Sequence, residues 1–200
     1  MCSSDLSGGR NTRALWNPAR PGRTVGAKAR QALEECDLVV ITAGSSASVR
    51  DLTAPVINSL GEPGVLVHGV AVKPGKPTIL AVCKTQDIPP KAVIGLPGNP
   101  VSALVIARLF VAPLVRQMLG LRAIIPPSVS ARLTINIPSQ AGREDWAPVR
   151  LLPQPNGYLA EPLFGKSNLI FTLARADGLV CIPANATGLN AGETVQVELF

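Results

Sequence analysis

The sequence predicts an α/β fold, a mostly parallel sheet with flanking helices, followed by a small all-β, barrel-like domain. Three observations carry this. Between Val25 and Leu119, runs with helical spacing alternate with short apolar runs, the pattern of a sheet covered by helices. The stretch 120–127 then reads as a linker. Beyond it the apolar segments are short, β-prone and separated by Gly, Pro and Asn.

Residues 1–24 show no period and are rich in breakers such as Gly8-Gly9 and Pro21-Gly22, so a poorly ordered leader is expected there. Ala29, Leu33 and Cys36 share one helical face over 26–36, and 37–42 reads as a buried strand. Leu52, Val56, Ile57 and Leu60 make the next helical face, with Asp51 or Thr53 as N-cap, Pro55 in the first turn and Gly61 as the stop. Strand-like runs follow at 65–72, 78–83 and 92–96. Asn99-Pro100 starts a second helix with the apolar residues Val101, Leu104, Val105 and Leu109; Pro113 is expected to end or kink it, with Leu114 to Leu119 as a stretch that could continue it. In the second region strands are expected at 130–135, 147–152, 157–161, 179–182 and 194–199, and a short helix at 169–176. The domains so predicted are a leader at 1–24, an α/β domain at 25–122 and a β domain at 126–200.

With 200 residues and 46% hydrophobic content, the chain is long enough to bury a core in one large or two modest domains. A formal charge of +6 favours anionic partners in general. The basic residues of the α/β region are dispersed rather than striped, which points to one anionic small molecule and away from nucleic acid. Two Trp, one Tyr and four Phe are too few to build stacking platforms for bases. Cys2, Cys36, Cys83 and Cys181 are widely spaced with no C-x-x-C pair, so reduced, mostly buried thiols are expected. No apolar run is read as reaching the ~18 residues that span a bilayer, and the N-terminus lacks the apolar core of a signal peptide. The expected compartment is cytoplasmic, with no membrane partner.

Three segments fall at predicted strand ends, where open α/β sheets bind ligands. Thr42-Ala43-Gly44-Ser45-Ser46-Ala47-Ser48 joins a strand to a helix, and its small residues would let a phosphate approach; an ordinary tight turn is the alternative. Asp51 would cap its helix, bind a divalent ion or orient a substrate group. Lys73-Pro74-Gly75-Lys76-Pro77 holds two ammonium groups in a turn stiffened by proline, which suits an oxyanion; a solvated turn is the alternative. In Gly95-Leu96-Pro97-Gly98-Asn99-Pro100-Val101-Ser102, Asn99 can cap, Pro100 presets the first turn, Ser102 can donate, and uncommitted amides would form an anion site. Their convergence predicts one shared pocket. His68, inside an apolar strand, is assigned to structure, and Arg143, Arg150, Lys166 and Ser167 are weighed as pocket-facing or merely solvated.

These segments resemble those of the molybdopterin molybdenumtransferases, the family that includes MoeA and the E domain of gephyrin. The stretch 37–51 resembles the family's strand, Gly-Gly-x-Ser loop and closing Asp, while 73–77 and 95–102 resemble its two other signatures, in order. Gly142-Arg143, Val149-Arg150-Leu151, Ala174 to Leu179, Ile182-Pro183 and Gly188 to Gly192 extend the similarity through Phe200. Ala43 and Ser48 stand where the family often has glycine, and Val49 and Arg50 where it often has an acidic residue.

The resemblance implies an enzyme of molybdenum cofactor biosynthesis, inserting molybdate into adenylylated molybdopterin with Mg²⁺ and releasing AMP. It implies Asp51 and Lys76 as catalytic groups, Asp51 as the metal ligand, and Gly44, Ser46, Lys73, Gly75, Pro97, Gly98, Asn99 and Ser102 around the substrate. A homodimer and an anionic pterin ligand are implied as partners. The family has two further domains ahead of this region, so an N-terminally truncated fragment is expected. The competing readings are a non-catalytic molybdopterin- or cofactor-binding module and an inactive fragment of a larger protein.

Overall fold

The computed structural model describes residues 23–42, 47–122, 125–164 and 173–200. The expected leader therefore lies outside the described residues, except for its last two positions. Helix α1 (Arg23–Glu35) begins there and buries Ala29 and Leu33. After strand β1 (Leu38–Thr42), helix α2 (Ala47–Asn58) starts earlier than its apolar residues indicate. Pro55 therefore sits in the helix interior rather than its first turn, and Asp51 and Thr53 fall inside the helix rather than at its cap.

The expected single strand at 65–72 is divided. Strand β2 (Glu62–His68) belongs to the first sheet, Gly69 turns the chain at φ 99°, and the two-residue strand β3 (Val72–Lys73) joins the second sheet. Strands β4 (Ile79–Lys84) and β5 (Lys91–Leu96) complete the first sheet in the order β1-β5-β4-β2. That sheet is mixed, correcting the expectation of a mostly parallel one: β1 and β5 pair in parallel, whereas β5–β4 and β4–β2 are antiparallel. The physical reason is the short connection 85–90, closed by Thr85 N–H to Ile88 O at 3.1 Å, which can join only antiparallel neighbours.

The two sheet faces bury different clusters. Val39, Ile79, Ala81, Cys83 and Val93 pack against α1 and α2. Ile94 and Leu96, alternating with Val93 along β5, face the other way and pack against Val105 and Ile106. These lie on helix α3 (Pro100–Ile106), which continues through a π-helical stretch (Ala107–Val111) into helix α4 (Ala112–Met118). The helix thus passes Pro113. Just before it, the Ala112 amide donates to Ala107 O, five residues back, and this wider turn accommodates a residue that has no N–H to give. The buried residues of α3 are Val101, Ser102, Val105 and Ile106, while Leu104, expected in the apolar face, is exposed.

Contrary to the sequence reading, Pro100–Met118 is 19 residues of mean hydropathy 1.5, long and apolar enough to cross a membrane by length and composition. In this fold its inner face lies in the core, and Arg108 donates to the Leu199 carbonyl.

The second region is a closed five-stranded barrel. Strands β6 (Ser128–Leu133), β8 (Glu144–Gln154), β9 (Gly157–Pro162), β10 (Gly178–Ile182) and β12 (Thr194–Leu199) run in the order β10-β12-β6-β9-β8, and β8 pairs back with β10. The short strands β7 (Ile137–Pro138) and β11 (Gly188–Leu189) pair beside it. Closure leaves no free edge, and Val149, Ala160, Ile182 and Val197 fill the interior. Of the helix expected at 169–176, only residues 173–176 are described: Leu173 and Ala174 are helical, Arg175 lies in a turn and Ala176 is outside any element. The α/β domain and the barrel share a core, since Val72, Ile94, Leu96, Val105 and Ile106 pack in one cluster with Trp146 and Leu179.

Barrel closure depends on Gly178, where a Cβ would collide with the Glu198 carbonyl of the adjacent strand. Gly178→Ala should destabilise the chain by about 1–3 kcal/mol, the usual cost of overpacking, and thermal unfolding followed by circular dichroism measures it.

Candidate functional site

Strand register brings the three candidate segments to one end of the first sheet. Thr42 pairs with Leu96, so β1 and β5 stop side by side, and β1 ends where Pro97-Gly98-Asn99 leaves β5. Gly95 also pairs with Ile79, the first residue of β4, so the lysine turn enters the sheet at that same end. Gly44 and Ser46 lie outside the described residues. Asp51 is described in its backbone only, within α2.

The close packing of α2 on this end depends on Gly95. A Cβ there would meet Ile79 Cβ at 3.0 Å and Thr53 Cγ2 at 3.4 Å, so the glycine lets the buried Thr53 of α2 approach β5. At the start of α3, Asn99 adopts φ −80° and ψ 123° and caps the helix: its Oδ1 accepts from Val101 N–H at 3.1 Å and Ser102 N–H at 3.4 Å. This corrects the expectation of uncommitted amides. The Asn99 carboxamide already occupies two of them, so the helix start contributes less to an anion than its bare backbone would. Pro97 and Ser102 are buried, Gly98 and Asn99 half-buried.

The lysine turn is held from both sides. Within it, Thr78, fully buried, donates its hydroxyl to Gly75 O at 2.6 Å, and Val70 N–H donates to Lys76 O at 3.0 Å. Gly75 has φ 138°, and a Cβ there would collide with Ile106 Cδ1 of α3. On the barrel side β3 pairs in parallel with β8, with Lys73 opposite Asp145, and Lys73 Nζ donates to Asp145 Oδ2 at 2.6 Å. Ser139 Oγ donates to the same oxygen at 3.1 Å, and Asp145 is only 6% exposed. Lys73 is thus engaged in an ion pair, whereas Lys76 is exposed with no carboxylate partner among the described residues. The two lysines read as equivalent in sequence are not equivalent in space.

Asp145 and Ser139 escaped the sequence reading. The only trace was a charged triplet, Arg143-Glu144-Asp145, opening an apolar strand; its partner lies 72 residues away and no local spacing announces it. Arg143 is half-buried, and its Nε has no hydrogen-bond partner among the described residues. Arg150 forms an ion pair at 2.6 Å with Glu161 on the barrel, and Lys166 and Ser167 lie outside the described residues. His68 is exposed at the end of β2. A separate open groove of about 500 Å³, lined by Arg132, Gln154, Asn156 and Tyr158 among others, contains none of the loop residues.

Among the described residues, no group of three His, Cys, Asp or Glu side chains gathers that could hold a metal ion. The carboxylate beside the lysine turn, Asp145, is already committed to Lys73 and Ser139. The described donors therefore do not fit a Mg²⁺ site.

Cys36, Cys83 and Cys181 are free thiols, Cys83 buried and the other two half-buried. Burial raises the Cys83 thiol. Burial first, then the negative charges of Glu144, Glu198 and Asp145, push Cys181 up to about 11 from 9.0. Because the folded chain then holds this proton more tightly than the unfolded one, the linked stability is present below pH 9 and is lost as pH rises toward 11. The thermal midpoint should fall more steeply over that window in the wild type than in Cys181→Ala, as melting curves at stepped pH would show.

Comparison with known proteins agrees with this architecture. Residues 18–117 match a family described as "Probable molybdopterin binding domain", and residues 130–200 match the "MoeA C-terminal region (domain IV)". The chain is 36% identical over 174 residues to molybdopterin molybdenumtransferase 1 of Mycobacterium tuberculosis, covering 84% of this chain and 40% of that protein. It is 31% identical over 172 residues to molybdopterin molybdenumtransferase of Haemophilus influenzae, covering 84% and 41%. A crystal structure of the molybdopterin biosynthesis MoeA protein from Pyrococcus horikoshii superposes with TM-score 0.71 at 40% identity, over 88% of this chain and 40% of that one.

The fold and the two family matches thus agree on the class, a domain of the probable molybdopterin binding family joined to a barrel of the MoeA C-terminal type. The chain belongs to the molybdopterin molybdenumtransferase family. It spans about 40% of the length of these relatives.

Proposed function

We propose that this chain binds molybdopterin in the biosynthesis of the molybdenum cofactor. The observation that carries the reading is the lysine turn, seated between α3 and barrel strand β8 at the sheet end where β1 and β5 open together. An exposed ammonium on a braced turn gives an anionic group a charge-assisted donor with little ordering left to do. Lys76 is assigned to the ligand's phosphate, and Gly75, Pro97 and Gly98 to the wall that lets it approach. Asn99 and Ser102 set the helix start beside it. Gly44, Ser46 and Asp51 are assigned to the ligand by the family resemblance. Lys73 belongs to the same turn.

The finer reading is a transferase step, in which molybdate enters the dithiolene of adenylylated molybdopterin and AMP leaves. Family membership supports it through relatives named molybdopterin molybdenumtransferase. The chain's own residues would bind and orient: Lys76 offsets phosphate charge, and the Asn99-capped helix start fixes the loop against which the ligand lies. Mg²⁺ comes with the resemblance, with Asp51 as its proposed ligand.

Purified chain should bind molybdopterin in calorimetric titration, and Lys76→Ala should weaken that binding on the order of tenfold or more, the loss of one charge-assisted hydrogen bond. AMP released from adenylylated molybdopterin in the presence of molybdate would establish the transferase. Binding without AMP would assign a cofactor-binding module instead, and absence of binding would overturn both.

A further inference from the structure

We propose that Asp145, on the barrel, is a positioning residue for the anion-binding turn of the α/β domain: by holding Lys73 it fixes the turn and aims Lys76 at the ligand. The identity of that ligand rests on the molybdopterin reading; the positioning itself rests on geometry.

Asp145 is buried, and a buried carboxylate without a cation is strongly disfavoured, so the ammonium of Lys73 is effectively required there. The pairing is specified twice. Backbone register sets Lys73 opposite Asp145, and the side chains then meet at 2.6 Å with Ser139 as a second donor. Glu144 N–H donates to Ala71 O at 2.9 Å and extends the clamp by one residue.

The consequence is electrostatic as well as mechanical. Lys73 and Lys76 are three residues apart in a tight turn, and two unpaired ammonium groups so close would repel. Neutralising Lys73 from the barrel removes that repulsion and leaves one cation, Lys76, to face the ligand. The other side of the turn is fixed because Gly75 lies directly against Ile106 of α3, the helix whose first turn is the Asn99 loop. The barrel, through Asp145 and the pairing of β8 with β3, thereby sets the distance between the lysine turn and the Asn99 loop.

The test uses the full chain with Lys73→Ala, Asp145→Ala, the double variant, and Asp145→Glu as the conservative rescue. Asp145→Asn serves as an isosteric substitute should the alanine variant fail to fold. The first readout is ligand-free: hydrogen exchange at the Val70 and Thr78 amides, which donate to Lys76 O and Gly75 O and so close the turn. The second is the calorimetric dissociation constant for molybdopterin.

Both single variants should speed exchange at these amides and weaken binding on the order of tenfold. The double should be no worse than the larger single effect, since the two groups act as one unit, and Asp145→Glu should recover both readouts. Unchanged exchange in Asp145→Ala, or additive losses in the double, would overturn the proposal. Expected exchange behaviour in a chain that does not bind molybdopterin would leave the positioning standing and remove the ligand reading. Unchanged exchange with binding that still depends on Lys76 would do the reverse.

Discussion

The constraint on which the rest of the structure turns is the seating of a five-residue lysine turn between two domains. Its strand β3 is only two residues long, too short to be stable alone, and it exists because β8 of the barrel extends beyond its pairing with β9 and offers that edge to it, while Asp145 still pairs with β10 on the other side. The ion pair between Lys73 and Asp145 locks that register, and Gly75 lets the turn rest on α3. The shared cluster of Val72, Ile94, Leu96, Val105, Ile106, Trp146 and Leu179 then buries both domains in one core. In the proposed site the barrel is therefore part of the binding apparatus, not an appendage to it.

Seen this way, the chemistry of the site is divided by role. The first sheet gives direction, stopping β1 and β5 together so that two loops open at one place. Asn99 spends its carboxamide on the helix start, which makes that loop rigid while committing amides that would otherwise be offered to an anion. Net attraction for an anion then falls to a side chain. Lys76 is suited to it because its neighbour is already neutralised. The π-helical stretch before Pro113 and the Arg108 hydrogen bond to the Leu199 carbonyl tie the far part of the same helix to the barrel's last strand, holding the domains together at a second place.

Much of the fold was legible because it is written in local periodicity. The alternation around 26–42, the strands of the second region and the helix start at Asn99-Pro100 all appear close to where sequence spacing puts them. The misses share a cause, which is competition from contacts distant in sequence. The run 65–72 is one apolar stretch, but Gly69 lets it divide between two sheets. At Pro113 the sequence leaves an end, a kink or a continuation open, and a π-turn decides it by carrying the helix through. Leu104 and Ser102 exchange the burial their hydrophobicity would assign, because the helix is rotated to meet Ile94 and Leu96.

The sequence by itself determined the family and pointed to the three segments proposed as its site, because Lys-Pro-Gly-Lys-Pro and Pro-Gly-Asn-Pro are contiguous and their turn chemistry is local. It also determined that the second region would be made of short strands, since turn residues punctuate it at regular intervals. Only the tertiary structure decided that the first sheet is mixed, that the helix amides at Asn99 are already taken, and that Lys73 and Lys76 play different parts. Each of these depends on which residue meets which across 72 positions of sequence or across a sheet. Periodicity fixes what a segment prefers to be, but pairing between distant segments decides which of its groups remain free to act.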